Sequence, residues 1–538
     1  MIKNKTILLV CKELDSYPMY FLGRELEKGN NNIHYFFIHH HEIMDKNLTS
    51  KNTYYYFKNK INNKNIHDVR DLNEEFLENR NSVKIDYNRL NEIEKKYTYF
   101  RGLNQQIISS QATSTPFHDR FYYPKSTFHE NVYWLILNYN KTENVLDSIN
   151  PDYIFDVDIG EIQRSLINEV ANHRKIAYIN MEYARYESFI VPTFNLGLKQ
   201  DQYFVNAYNK NKKNLNLAKY TNEIEKYQSK SLIIPEMYKE HYESSHNFKT
   251  TDVIKYLVMN TYKFAKSQTY YFKNNKNRIK LNTPLDSHVF KKILWKYVCA
   301  IRKWYLYSNF NKYFESPREE KYVYMPLHVI PESTTFVKSP MYVDEINLIE
   351  ATSKSLPITW KLYIKEHPSM IGERSMQFYK KINKLHNVKI IKMNSYLDPK
   401  PWIEKSLAVI SIVGSSALEA TMLNKPAIVF GNVCYNVLSN IRVTNSFEEL
   451  ETIFKSIRDG GWLYKNNNNE CAAYLKTVED MGINLDMWSL LKLSSKKINS
   501  QSLADDEEYK FKELNNRLIN FYEKAVKIYD DEKNSSIY

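Results

Sequence analysis

Short apolar runs alternate with stretches of helical spacing, and most of the runs close on polar residues. Residues 6 to 11 form the first run, Tyr20 to Gly29 reads as an amphipathic helix ended by glycine, and Ile33 to Ile38 supplies a second strand. From Phe128 the pattern strengthens. A helix through Trp134, Leu135 and Leu137 precedes a strand predicted over Pro151 to Asp158, a helix over Gln163 to His173 and a strand over Ile176 to Ile179. A second cycle holds strands at Tyr322 to Met325, Lys361 to Ile364, Ala408 to Ile412 and Ala427 to Phe430, the last ending on Gly431. Apolar runs of this kind predict buried parallel sheets in a doubly wound α/β chain, with ligands beyond the carboxyl ends of the strands.

Two stretches depart from the alternation. Residues 51 to 131 show weak helical periodicity at Leu72 to Leu77 and Leu90 to Tyr99, and read as helices and loops over the first sheet. Residues 200 to 315 carry long basic and aromatic helical patterns, Val253 to Lys266 and Val289 to Tyr307, with an Asn/Lys loop at Lys273 to Lys280. Aromatic residues at helical spacing predict helix–helix core contacts there. A basic aromatic platform for a membrane surface or a polyanionic acceptor is the rival reading. Phe511 to Tyr529 predicts a terminal helix that crosses back to brace the first domain. The division expected is 1–199, a first Rossmann-like domain; 200–319, a helical insertion; 320–465, a second Rossmann-like domain; and 466–538, a C-terminal helical segment.

At 538 residues the chain is too long for one core, and 43% hydrophobic content excludes a disordered protein. With no run of eighteen apolar residues and an opening too short for a signal segment, a cytoplasmic protein is expected, with the inner membrane face as a further site. Four scattered cysteines without CxxC spacing argue against zinc and against a disulfide framework. A net charge of +13 permits binding to nucleic acid, an anionic membrane or a phosphorylated substrate. Recurring Asn-Lys runs read as a solvated surface, and without an RRM, KH or helix-turn-helix pattern no nucleic-acid partner is expected.

The chemistry gathers at strand ends. Gly414-Ser415-Ser416 opens a helix continuing to Glu419, which makes it a phosphate cradle or a serine N-cap with a capping glutamate. His367-Pro368 and His328 place imidazoles at the carboxyl edge, where they could donate to a leaving phosphate or act as acid, and Glu332 could accept from sugar hydroxyls. In the first half, Asp156, Asp158 and Glu161 end a predicted strand. Asp158 is the first choice as base or nucleophile, with Asp156 of the same strand parity, and an N-capping role open to any of them. Arg185 ends the next strand and could pair with an anionic sugar or an acceptor phosphate.

The stretches Pro326-Leu327-His328-Val329-Ile330-Pro331-Glu332-Ser333-Thr334-Thr335, Lys365-Glu366-His367-Pro368, Gly414 to Ala420 and Asn424 to Gly431 resemble the bacterial capsule polysaccharide biosynthesis family, which includes Kdo transferases. The resemblance implies a GT-B-like fold, two doubly wound Rossmann-like domains facing a cleft. It implies a glycosyltransferase without a cofactor, whose donor is a CMP- or UDP-sugar and whose acceptor is a glycan or glycolipid, and since no carboxylate pair or DxD-like cluster in the second domain demands a metal, a metal-independent mechanism is expected. The family's HP motif matches His367-Pro368, while its QPE-like motif carries Ile330 in place of glutamine. Donor contacts are then expected from His328, Glu332, Ser333, Glu366, Pro368, Gly414, Ser415, Ser416 and Glu419, and catalysis from His367 with Asp158 and Glu161 opposite. A polyol-phosphate polymer transferase, a nucleotide-sugar epimerase and a non-catalytic capsule scaffold are the alternatives.

Overall fold

A computed structural model describes residues 2–39, 57, 60–110, 113–114, 117, 126–213, 216–229, most of 251–262, 289–316, 318–391, 399–462, 467–498 and 502–535. The first half contributes strands β1 (Thr6–Lys12), β2 (Asn32–His39), β3 (Ile66–Asp68), β4 (Tyr153–Phe155), β5 (Ala177–Tyr183) and β6 (Phe189–Thr193). The second contributes β7 (Tyr322–Pro326), β8 (Lys361–Lys365), β9 (Val388–Ile390), β10 (Ala408–Ser411), β11 (Ala427–Val429) and β12 (Ile441–Val443), and β13 (Ile483–Asn484) follows.

Among the described residues these form two sheets, ordered β13-β6-β5-β4-β1-β2-β3 and β12-β11-β10-β7-β8-β9. The second sheet is parallel throughout. The first is parallel from β5 to β3, and β6 and β13 extend it antiparallel. This is the GT-B-like pair of Rossmann-like halves. The central strands read as unbroken apolar runs because helices cover both of their faces.

The predicted strand over 151 to 158 contracts to Tyr153–Phe155, since the chain leaves the sheet as its side chains turn acidic. The predicted strand at Ile176 to Ile179 lengthens to Tyr183 and turns back as β6. The terminal helix, Asp505–Ser535, does cross back: Tyr522 stacks on Phe155 with centroids 4.3 Å apart and donates to the Asp156 carbonyl at 2.8 Å. Helices Gln202–Lys212 and Ala218–Ser229 pack on Asn468–Met481, where Asn211 donates to Asp480 at 2.8 Å and Tyr220 to Glu479 at 2.8 Å. The predicted loop at Lys273 to Lys280 lies outside the described residues. Cys11, Cys434 and Cys471 are buried thiols, and Cys299 is half-buried.

Buried polar contacts tie the halves together. Lys338 Nζ and Glu182 form a buried ion pair at 2.7 Å, the Cys434 amide donates to the same carboxylate at 3.1 Å, and Arg101 donates to the Lys338 carbonyl at 3.1 Å.

Candidate functional site

In a doubly wound sheet the crevice opens where neighbouring strands send their connections to opposite faces. In the first sheet that point lies between β1 and β4, and in the second between β7 and β10. The two crevices meet. A Cβ added at Gly160, after β4, would lie 2.9 Å from the Cβ of Ser333, after β7, and 3.5 Å from Asp158 Oδ2.

On the first-half side, strand parity does not make Asp156 and Asp158 equivalent, because both lie beyond the strand. Asp156 is fully buried. Its carboxylate accepts from Arg164 Nε at 3.0 and 2.9 Å, from the Tyr178 hydroxyl at 2.6 Å and from the Val157 amide at 2.8 Å. Burial pushes its pKa up, and Arg164 opposes the shift. Asp158 keeps a side chain 38% exposed, with Oδ2 accepting from Arg164 Nη1 at 2.9 Å. Arg164 is itself wholly buried, and also donates to the Gly160 carbonyl at 3.1 Å and to Asp15 at 3.3 Å. It therefore fixes the loop that carries Asp158.

The N-capping alternative is not realised for Glu161. The residue sits at φ +91° and makes no side-chain cap bond to helix Ile162–His173; instead it lies 3.2 Å from Lys12 Nζ and accepts from Ser110 at 2.9 Å. Arg185 is exposed in the turn between β5 and β6, where its charge reaches Cys434 and Tyr435 of the second half.

On the second-half side, His328 is buried between two strand ends. Its amide donates to Glu345 at 2.7 Å, its Nδ1 lies 3.4 Å from the same oxygen, and its Nε2 lies 3.3 Å from Ser411 Oγ, which accepts from the Gly414 amide at 2.9 Å. A Cβ at Gly414 would fall 2.5 Å from Ser411 Oγ and 3.3 Å from His328 Nε2, so only glycine leaves this corner open. The capping-box alternative fails here too. Ser415 makes no side-chain cap bond to helix Ser416–Met422, and the Ser416 hydroxyl is buried without a hydrogen-bond partner among the described residues. Glu419 is half-buried on that helix. Glu332 is half-buried at the start of helix Ser333–Lys338, again without a side-chain cap bond.

The Glu366 carboxylate, expected at the donor, is buried and taken up by Arg374 Nε at 3.1 and 2.9 Å, Tyr379 at 2.9 Å and the His367 amide at 2.8 Å. Arg374 also pairs with Glu345 at 2.6 Å and donates to the His328 carbonyl at 2.8 Å. This buried network joins both histidine loops. Burial, then the nearby His328 and Arg374, push the His367 pKa down to about 4. Its Nδ1 accepts from the Ser369 amide at 3.2 Å, so the neutral ring carries its proton on Nε2. At neutral pH it can donate a hydrogen bond but cannot serve as an imidazolium acid. Pro368 opens the short turn Pro368–Met370.

Sequence reasoning missed Arg164, Arg374, Glu345 and Ser411. A lone arginine within the apolar pattern of Leu166 and Ile167 was the one available signal.

No family model matches the chain, and neither does any curated protein. Solved structures similar to it include a UDP-GlcNAc 2-epimerase from Methanocaldococcus jannaschii, at 13% identity over 88% of this chain and 99% of that one, with a TM-score of 0.24. Another is the KpsC beta Kdo 2,7 transferase of Thermosulfurimonas dismutans, at 13% identity over 58% and 78%, with a TM-score of 0.27. A third is the S. aureus MnaA-UDP co-structure, at 11% identity over 93% and 99%, with a TM-score of 0.25. At such identities and TM-scores the likeness carries no argument about activity.

Proposed function

We propose that this protein is a glycosyltransferase that takes a sugar from a CMP- or UDP-linked donor and passes it to a glycan or glycolipid acceptor of a surface polysaccharide. The observation that supports this most is the approach of Gly160 and Asp158, at one switch point, to Ser333, at the other. A donor held by the second half would then present its anomeric carbon to a carboxylate of the first. The donor's phosphate would lie against Gly414, Ser415 and the unpartnered Ser416 hydroxyl, with the neutral His367 Nε2–H donating to the leaving oxygen. Glu332, Ser333 and Glu419 would meet the sugar and nucleoside hydroxyls. Asp158 is the base: it takes the acceptor hydroxyl's proton as that oxygen bonds to the anomeric carbon and the bond to the phosphate oxygen breaks. Arg164 holds Asp158 in place, while Glu161 and Arg185 flank the acceptor side.

The test is Asp158→Asn with labelled CMP- and UDP-sugars. Transfer should fall by about 100-fold or more while nucleotide affinity is kept. Undiminished transfer in that variant would remove the assignment. Epimerised donor in place of a glycosylated acceptor would replace it with the epimerase reading.

A further inference from the structure

The positive charge is not spread over the loops. Residues 251–312 hold thirteen Lys and Arg against two Asp, whereas the remaining 476 residues hold 62 against 60. Nearly all of the net charge of +13 therefore lies in one segment.

Two helical stretches within it are described, residues 251–262 and Val289–Ser308, and they touch where the Thr261 and Tyr297 hydroxyls lie 2.6 Å apart. The second is apolar on two faces. One face is buried against the nucleotide-sugar half: Trp295 donates to Glu373 at 3.1 Å, Leu306 is buried, and a Cβ at Gly372 would fall 2.5 Å from the Cys299 carbonyl. The other face is open to solvent. Leu294, Ile301 and Tyr305 line it at helical spacing, and Ile254, Val258 and Tyr262 form a matching stripe on the neighbouring stretch. Helix Val289–Ser308 carries five Lys and Arg and no acidic residue.

A large apolar stripe along and beside a basic helix is the signature of an element lying in the plane of an anionic membrane, its apolar side chains among the acyl chains and its cations among the headgroups. Among the described residues no helix is long and apolar enough to cross a membrane. We propose that the exposed stripe of Ile254, Val258, Tyr262, Leu294, Ile301 and Tyr305 docks the protein onto an anionic lipid surface. The docked helix rests on Gly372 and Glu373, five and six residues beyond His367, so the lipid plane lies beside the donor loops. The inference stands apart from the transferase reading, because vesicle binding is measured without turnover.

The test is co-sedimentation of the full chain with phosphatidylcholine vesicles, with and without phosphatidylglycerol, at low and high salt. Binding should require the anionic lipid and fall about tenfold or more at high salt. The combined variant Ile254→Glu, Val258→Glu and Ile301→Glu changes positions 58%, 64% and 54% exposed, and should abolish binding while leaving the melting temperature and nucleotide affinity unchanged. Quenching by brominated lipid, lost in Trp304→Phe, gives a reading that does not depend on that variant's folding. Equal binding to neutral vesicles, or binding to none, overturns the proposal. So does retention on heparin without vesicle binding, which would assign the surface to a soluble polyanion, or a dimer in solution that the triple variant dissociates.

Discussion

Replacing Arg164 by methionine should destabilise the first half severely and do so in a pH-dependent way. The guanidinium is wholly buried and serves Asp156, Asp158, Asp15 and the Gly160 carbonyl together. Without it, among the described residues Asp156 retains the Tyr178 hydroxyl and the amides of Val157 and Asp158, and a buried carboxylate loses the guanidinium that neutralises it. Removing one partner of a buried pair costs about 3–5 kcal/mol. In a domain of this size each kcal/mol moves a melting transition by about 2–4 °C, so a fall of about 10 °C is expected at pH 7.

The sign of the pH effect follows from the Asp156 pKa, which burial already raises and which loss of Arg164 raises further. A carboxyl whose folded pKa exceeds its unfolded value of about 3.9 contributes stability below that value and loses it as pH rises through the folded pKa. The deficit of Arg164→Met should therefore shrink between pH 7 and pH 5. Adding Asp156→Asn removes the orphaned charge and should recover about half of the loss. Calorimetry across that pH range on the wild type and both variants measures all three quantities. An Arg164→Met transition within about 2 °C of wild type at pH 7, or a double variant no more stable than the single one, would refute the reasoning.

The acid limb of nucleotide binding should lie near pH 4, well below the 6.5 of an ordinary histidine, because His367 stays neutral down to about 4. Its stabilising contribution is complete above pH 6.5 and is lost as pH falls toward 4; a titration of its ring protons by NMR with a midpoint near 6.5 would contradict this. Gly414→Ala should weaken CMP or UDP binding by about tenfold or more in calorimetry, since its Cβ must displace Ser411 or His328, at a stability cost of about 1–3 kcal/mol. Unchanged affinity would place the nucleotide elsewhere.

The strands legible in the sequence are those with both faces covered. Runs such as Leu8-Leu9-Val10 and Val409-Ile410 announce themselves because no position along them meets water. The strands missed lie at or near sheet edges: β3 is Ile66-His67-Asp68, β9 is Val388-Lys389-Ile390, β12 is Ile441-Arg442-Val443, and β6 and β13 pair antiparallel beyond the parallel core. One exposed side gives an edge strand polar residues that hide its period. The candidate site divides in the same manner. His328, His367 and Gly414 could be read because strand ends are local features of the chain. Arg374 could not, since it bridges Glu345, Glu366 and the His328 carbonyl, partners up to 46 residues apart in sequence.

The return of residues 483–535 to the first half has a consequence for biosynthesis. The edge of β6 is capped only when β13 pairs with it, and the Phe155 ring gains its close stack on Tyr522 only when the terminal helix arrives. During translation the segment made first thus waits for one made 290 or more residues later, with an unpaired strand edge and an uncovered apolar face in the interval. The second sheet, which draws all six of its strands from residues 322 to 443, can close before that happens. The nascent chain therefore completes its later domain first, and its earlier domain is the one exposed to chaperones and to aggregation.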